Sequence, residues 1–211
     1  MFRKLISGAI GLLMFGMVGT ANAAFIPVGP QNDVAVSTVT GTWGWTVCWS
    51  GLYGVDGPSI AGLLSGACQG DNLMLAGKLV ASNTFDVLAA AATADVTFDT
   101  GTGNTTHTAN GSEWYFSSGY SWGFAGLGDS VTRGSCDYAG SGERDRLCWH
   151  TGGGNINRGW RSGSNTSLNG STTWERYLLV ANDMDVPEPS GLILFGLGLA
   201  GLGVTRRRLA A

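Results

Sequence analysis

The sequence predicts a mainly β domain, a sandwich or partly closed barrel of short strands with one short helix, flanked by two apolar end segments. Three observations predict it. Alternating or aromatic runs of five to eight residues recur between Gly, Asn and Ser clusters. Charged residues make up only 13% of the chain, about half the usual share, which argues against long solvated helices and coiled coils. Eight tryptophans and low charge argue against disorder. A length of 211 residues suits one domain with its tails.

The elements follow in chain order. Val34 to Val39 alternates as a half-buried strand does. Thr42 to Trp49 is aromatic and β-prone, and Leu73 to Val80 reads as another strand. The stretch Asn83 to Ala92 is the helix candidate, with Asn83 as cap and Asp86 in the first turn near the positive end of the dipole. Ala94 to Asp99 reads as strand, stopped by Thr100 to Asn104. Glu113 to Phe116 and Tyr120 to Phe124 form an aromatic hairpin pair. The segments around Gly152 to Asn155 and Gly163 to Asn165 carry few apolar residues. Ordering them costs entropy and buries little, so they read as one long surface loop. Trp174 to Val180 is the last strand. No fixed-period repeat is visible.

The chain ends read as addresses. Arg3 and Lys4 precede an apolar run from Leu5 to Val18, and Ala21-Asn22-Ala23 supplies small residues for a cut between Ala23 and Ala24. That is the order of a secretory signal peptide, and the run is short for a membrane span. At the other end Val186-Pro187-Glu188-Pro189 precedes an uncharged stretch from Gly191 to Val204, followed by Arg206, Arg207 and Arg208. The two prolines keep the motif extended and open to an enzyme. The arginines act as a stop on the cytoplasmic side. The division expected is therefore a signal peptide at 1–23, a domain at 24–180, a linker at 181–185 and a sorting signal at 186–211.

This three-part tail resembles the PEP-CTERM sorting signal of Gram-negative bacteria. The resemblance implies an exosortase that recognises Pro187-Glu188-Pro189. It also implies transient anchoring in the inner membrane by an apolar helix, removal of the tail, and delivery to the cell surface or an exopolysaccharide matrix. It covers only the tail and leaves the central domain unrecognised. The Gly196-x-Gly198-x-x-Gly201 pattern inside the apolar stretch lacks the preceding strand and following helix of a dinucleotide site, so it reads as helix-packing glycine.

The mature part of the chain, from Ala24 through the sorting motif, carries an acidic balance. Arg3, Lys4, Arg206, Arg207 and Arg208 account for five of the 12 basic residues, so seven remain against 15 acids, and the net charge moves from −3 to −8. With no basic stripe, such a domain is a poor nucleic-acid binder. Cys48, Cys68, Cys136 and Cys148 lie in an exported segment, where disulfides persist. Four cysteines allow three pairings. Cys48–Cys68 and Cys136–Cys148 are favoured because near neighbours meet most easily. A zinc site on Cys148 and His150 is the weaker alternative, since no C-x-x-C spacing supports it.

Chemistry in the domain is less legible. Trp43, Trp45, Trp49 and Trp149 read as structural by strand position. Trp160 lies between Arg158 and Arg161 in polar context and is the candidate ligand platform, since flat aromatic faces stack on sugars. His107 and His150 lack a serine elbow and read as hydrogen-bonded structural residues. Asp137, Glu143, Asp145 and Glu175 are carboxylates that a glycoside-cleaving enzyme could use, but nothing in sequence places them. The run Glu143-Arg144-Asp145-Arg146 reads as solvated and self-paired. No calcium loop is present, and no catalytic residue, cofactor or metal is expected. The Asn-x-Ser/Thr sites at Asn104, Asn110, Asn165 and Asn169 mark exposed polar loops. The expected function is that of an exported surface or matrix protein, structural or polysaccharide-associated. The alternative is a secreted polysaccharide-active enzyme.

Overall fold

A computed structural model of the chain describes residues 23–183. Residues 1–22 of the signal peptide expected over 1–23, the sorting motif Val186-Pro187-Glu188-Pro189, the apolar helix expected over 191–204 and the stop expected at Arg206, Arg207 and Arg208 lie outside the described residues. No helix among the described residues is long and apolar enough to cross a membrane.

Two five-stranded antiparallel sheets form an open sandwich without a closed barrel. The first contains β1 (Gln31–Ala35), β2 (Thr46–Leu52), β3 (Asn72–Leu79), β4 (Thr84–Ala92) and β10 (Trp174–Ala181), in the order β1-β4-β3-β10-β2. The second is a meander of β5 (His107–Ala109), β6 (Ser112–Phe116), β7 (Ser121–Gly126), β8 (Leu147–Gly152) and β9 (Asn155–Ser162). Two short helices, α1 (Ile60–Leu64) and α2 (Thr93–Val96), connect strands. The expected aromatic hairpin is present, with Trp114 opposite Phe124 and Phe116 opposite Trp122.

The inner core lies between the sheets. One side supplies Leu73, Leu75, Val87, Ala89 and Leu178, and the other supplies Trp114, Trp122, Phe124 and Trp149. Trp149 meets both Trp49 and Trp122 edge to face, with centroids 6.1 and 5.9 Å apart. Edge-to-face pairing suits the ring quadrupoles and adds to the area buried.

Both outer faces are also covered. A strap formed by the N-terminal segment and a π-helical turn at Thr38–Thr42 lays Val39 and Trp45 over Met74, Ala76, Leu88, Ala90 and Leu179 of the first sheet. The Trp45 indole N–H donates to the Phe25 carbonyl at 2.9 Å. The loop between β7 and β8 covers Tyr115 and Ala125 of the second sheet with Val131 and Cys136.

Several expectations are corrected. Asn83–Ala92 is not a helix, because residues from Thr84 onward form β4 between β1 and β3. Its two faces are buried in different layers, Val87, Ala89 and Ala91 inward and Leu88 and Ala90 outward. A strand buried on both sides loses its alternation, and the alanine run then resembles a helix former. Ala94–Asp99 is not a strand; it begins within α2, where the Thr97 hydroxyl donates to the Thr93 carbonyl at 2.6 Å. The first strand stops at Ala35 rather than Val39, because Val39 turns into the strap. The Gly152–Asn155 segment is not an open loop. Gly153 and Gly154 have φ of 59° and 80°, the left-handed pair needed at a two-residue hairpin turn, and β8 and β9 pair on either side.

Candidate functional site

One surface cleft sits on the outer face of the second sheet. Its floor is β9, which places Trp160 half-buried against Tyr115, Val131, Cys136 and Cys148. Trp160 therefore stands on a strand rather than in the loop expected from its polar neighbours. Its wall is the β7–β8 loop.

Charge holds that loop in addition to the apolar contacts of Val131 and Cys136. Its Asp137 is fully buried, and the carboxylate accepts from Arg146 Nη1 at 2.8 Å and from the Thr132 and Ala139 amides at 2.9 and 3.0 Å. Arg146, itself buried, also pairs with Glu143 and lies 3.2 Å from Asp129. Burial opposes the Arg146 charge, but Glu143 and Asp137 outweigh it and hold its pKa above the ordinary value. Arg161 donates to the carbonyls of Gly163, Ala139, Gly140 and Glu143. Arg133 stacks over Tyr115 and Tyr120 at 4.9 and 5.3 Å, and its Nε donates to Ser121 Oγ at 3.0 Å. The solvated reading of Glu143–Arg146 thus holds for Arg144, exposed and paired with Asp33, and fails for Arg146.

Covalent closure completes the wall. Cys136–Cys148 ties the loop to β8, and Cys48–Cys68 ties β2 to the turn after α1. These are the near-neighbour pairings. With both pairs oxidised, no thiol is left to ligate zinc.

Between floor and wall is a cleft of about 270 Å³, lined by Ser135, Tyr138, His150, Trp160 and Asn169 among others. His150 Nδ1 lies 3.0 Å from the Ser135 carbonyl and 3.3 Å from the Ser135 hydroxyl. A carbonyl only accepts, so in the neutral imidazole Nδ1 carries the proton and Nε2 keeps the lone pair. The Ser135 hydroxyl therefore has no base at Nδ1, and the pair is not a nucleophilic dyad. His107 is half-buried on β5, bonded to Asp95 at 2.8 Å and stacked on Phe98.

The carboxylates singled out in sequence do not converge on a cleft. Asp137 and Glu143 belong to the Arg146 cluster, Asp145 accepts from Asn32 at 2.5 Å, and Glu175 pairs with Lys78 at 3.2 Å and accepts from Tyr177. A different pair, Asp33 and Asp86, lines a smaller cleft of about 180 Å³ with Leu79 and Trp174. Burial raises the Asp86 pKa, while the Ser162 hydroxyl and the Arg144 charge work against the rise. Sequence reasoning missed this pair, because only strand register brings β1 beside β4. It also missed Tyr138, and it read Asn169 only as an exposed loop site.

A third cavity, about 350 Å³, is lined by Trp49 and Arg176. Arg176 is fully buried among the rings of Trp49, Tyr53 and Trp149. It donates to the carbonyls of Asn157, Leu52 and Val55, so it clamps β9 to the turn after β2. Burial brings its pKa down to about 10. Among the described residues no group of three or more His, Cys, Asp or Glu side chains is placed to hold a metal ion.

Comparison with known proteins decides the C-terminal segment. The family description "PEP-CTERM protein-sorting motif" matches residues 185–208. The chain carries a PEP-CTERM sorting signal. The match begins two residues beyond Asp183, the last described residue. There the strand end is pinned, since the Asp183 amide donates to Asp71 at 2.8 Å and Asn72 donates to the Asp183 carboxylate at 2.7 Å. A PEP-CTERM signal implies export and an exosortase as processing partner. No curated protein and no solved structure matches the chain.

Proposed function

We propose that this is a non-catalytic protein of the cell surface or exopolysaccharide matrix. It is held at the inner membrane by the apolar tail until an exosortase acts at Pro187-Glu188-Pro189. It then associates with polysaccharide. The single observation that carries the reading is the PEP-CTERM match at residues 185–208. Two features of the domain support it. Two disulfides suit an oxidising compartment. The acids Asp137, Glu143, Asp145 and Glu175 are each engaged in pairs or hydrogen bonds within the fold. Intact mass of the protein recovered from the culture surface tests the sorting step. The expected mass lacks the residues up to Ala23 and the segment after the motif. In a Pro187→Ala, Glu188→Ala variant the tail should remain and the protein should stay with the inner membrane. Normal release of that variant would sink the motif assignment.

A second reading, a polysaccharide-cleaving enzyme, has one observation in its favour. Asp86 has a raised pKa and shares its cleft with Asp33 and Trp174. Acid-base glycoside cleavage needs one protonated and one ionised carboxyl group. Against it, Asp33 is bound to Arg144 at 2.8 Å. Release of reducing ends from surface polysaccharide, abolished by Asp86→Asn, would favour the enzyme.

A further inference from the structure

The sorting signal starts almost on the sandwich itself. The last strand, β10, is interior to the first sheet, paired with β3 on one side and β2 on the other. Its final rung sets Ala181 opposite Asn72, and Asn72 lies opposite Ala92. Beyond that rung the chain is still held. The Asp183 amide donates to the Asp71 carboxylate at 2.8 Å, and the Asn72 side chain donates to the Asp183 carboxylate at 2.7 Å. The Asp71 amide in turn donates to the Asn182 side-chain oxygen at 3.3 Å. Peeling this end back would break pairs to both neighbouring strands, so Asp183 is a fixed point of exit.

From that point the reach is short. Pro187 lies four residues after Asp183, and a fully extended chain covers at most about 14 Å over that distance. A folded domain of about 100 residues already has a radius of gyration of about 13 Å. An enzyme therefore cannot seat Pro187-Glu188-Pro189 in a cleft and stay clear of the end of the sandwich. The surface it meets there is formed by Thr46, Asp71, Ala92, Asn182 and Asp183, all exposed. Thr46 pairs with Val180 on β10, which places it beside the exit. This end is also acidic. Half-buried Asp95 of α2 follows Ala92, and Asp185 and Glu188 continue the charge along the chain. The two exposed arginines are engaged elsewhere, Arg144 with Asp33 and Arg158 at 3.9 Å from Asp56.

We propose that the exosortase recognises this end of the sandwich together with the motif, through a surface of its own that carries positive charge. The acidic end steers and orients the enzyme, and the fixed exit at Asp183 delivers the motif into its cleft. The proposal rests on the sorting reading above and names a second contact for the same partner.

The test is pulse-chase loss of the tail from the full chain in cells that contain the exosortase, read by mass. One variant inserts a flexible spacer of about ten Gly and Ser residues between Asp183 and Met184. It leaves domain and motif intact and lets them move apart. Thr46→Lys and Ala92→Lys each place a cation on the end face. Val80→Lys does the same just past the far end of β3 and serves as control. All three positions are exposed, and an unchanged thermal midpoint reports an intact fold. Tail loss should slow about fivefold or more with the spacer, with Thr46→Lys and with Ala92→Lys, and keep the parental rate in Val80→Lys. The two end-face substitutions should add little once the spacer is present. Parental rates in all variants would overturn the proposal, since the motif alone would then suffice. So would slowing by the spacer without slowing by the end-face substitutions, which would reduce the effect to distance. Faster loss with the spacer would make the fold an obstruction, and faster loss with the end-face substitutions would point to an anionic lipid surface; either overturns the claim. A parental chain that keeps its tail sinks the sorting reading itself, whereas a parental chain cut normally, with no spacer effect, sinks only the second contact.

Discussion

The two sheets are covered on their outer faces by opposite means. The first is closed by apolar packing, with Val39 and Trp45 seated on Met74, Ala76, Leu88 and Leu179. The second is closed by a loop whose anchors are Arg133, Arg146, Arg161, Asp137 and a disulfide. Apolar cover is non-directional, so it can close without gaps. Polar cover must match each donor to an acceptor, and its shape is set by those directional bonds. The cleft lined by Ser135, Tyr138, His150 and Trp160 lies beside the polar cover.

Four predictions sharpen or break this contrast. The largest effects come from the two covers themselves. Trp45→Ala should destabilise by about 3–5 kcal/mol through the cavity it leaves. Arg146→Ala should cost a similar amount, about 3–5 kcal/mol, because it strands the buried Asp137 carboxylate. Denaturant unfolding would tell them apart. Adding Asp137→Asn should restore much of the Arg146→Ala loss and should not rescue Trp45→Ala. Equal behaviour of both backgrounds would erase the distinction.

Next comes the covalent tie. Replacing Cys136 and Cys148 by Ala opens a loop with a sequence separation of 12 and should cost about 3 kcal/mol. Proteolysis should then cut first within residues 127–146. Cleavage elsewhere would mean that the arginines alone hold the wall.

Acid has a smaller effect on the same sheet. Burial pushes the Glu113 carboxyl up, but hydrogen bonds from Thr106, the Gly128 amide and Thr108 outweigh it and hold its pKa below the ordinary value. A carboxylate with a depressed folded pKa contributes stability that is fully present above its unfolded pKa. That contribution is lost as pH falls through the folded pKa. Thermal midpoints should therefore decline below about pH 4.3, and less steeply in Glu113→Gln. The smallest effect is expected for Arg144→Ala. It removes an exposed pair with Asp33 and should change stability by less than about 1 kcal/mol, and less still in high salt.

The same contrast explains what could be read in the sequence. Strands with one polar or glycine-broken face, such as Glu113–Phe116 and Tyr120–Phe124, announce themselves by aromatic runs between turn residues. The strand Thr84–Ala92 does not, because both faces are apolar and period two disappears. Trp160 was legible as a platform candidate from its polar neighbours, but its strand position was not. Asn169 and Tyr138 carried no local signal, since a residue's partner across a cleft is set by chain return, not spacing. The buried arginines were the hardest to foresee. Among the described residues Lys78, Arg133, Arg146, Arg161 and Arg176 are buried, and only Arg144 and Arg158 stand exposed. Sequence charge counts these cations but does not say which of them face water.

By itself, the sequence determined the sorting signal, the β class and the near-neighbour disulfides. Each depends on residues close together along the chain: a short motif, a local period, a small loop to close. Tertiary structure alone decided which face of each strand is buried, which cations are internal, and which residues share a cleft, Trp160 with Asn169 and Asp33 with Asp86. Those follow from strand register and layer stacking, which join residues distant in the chain and are fixed only when the whole core closes.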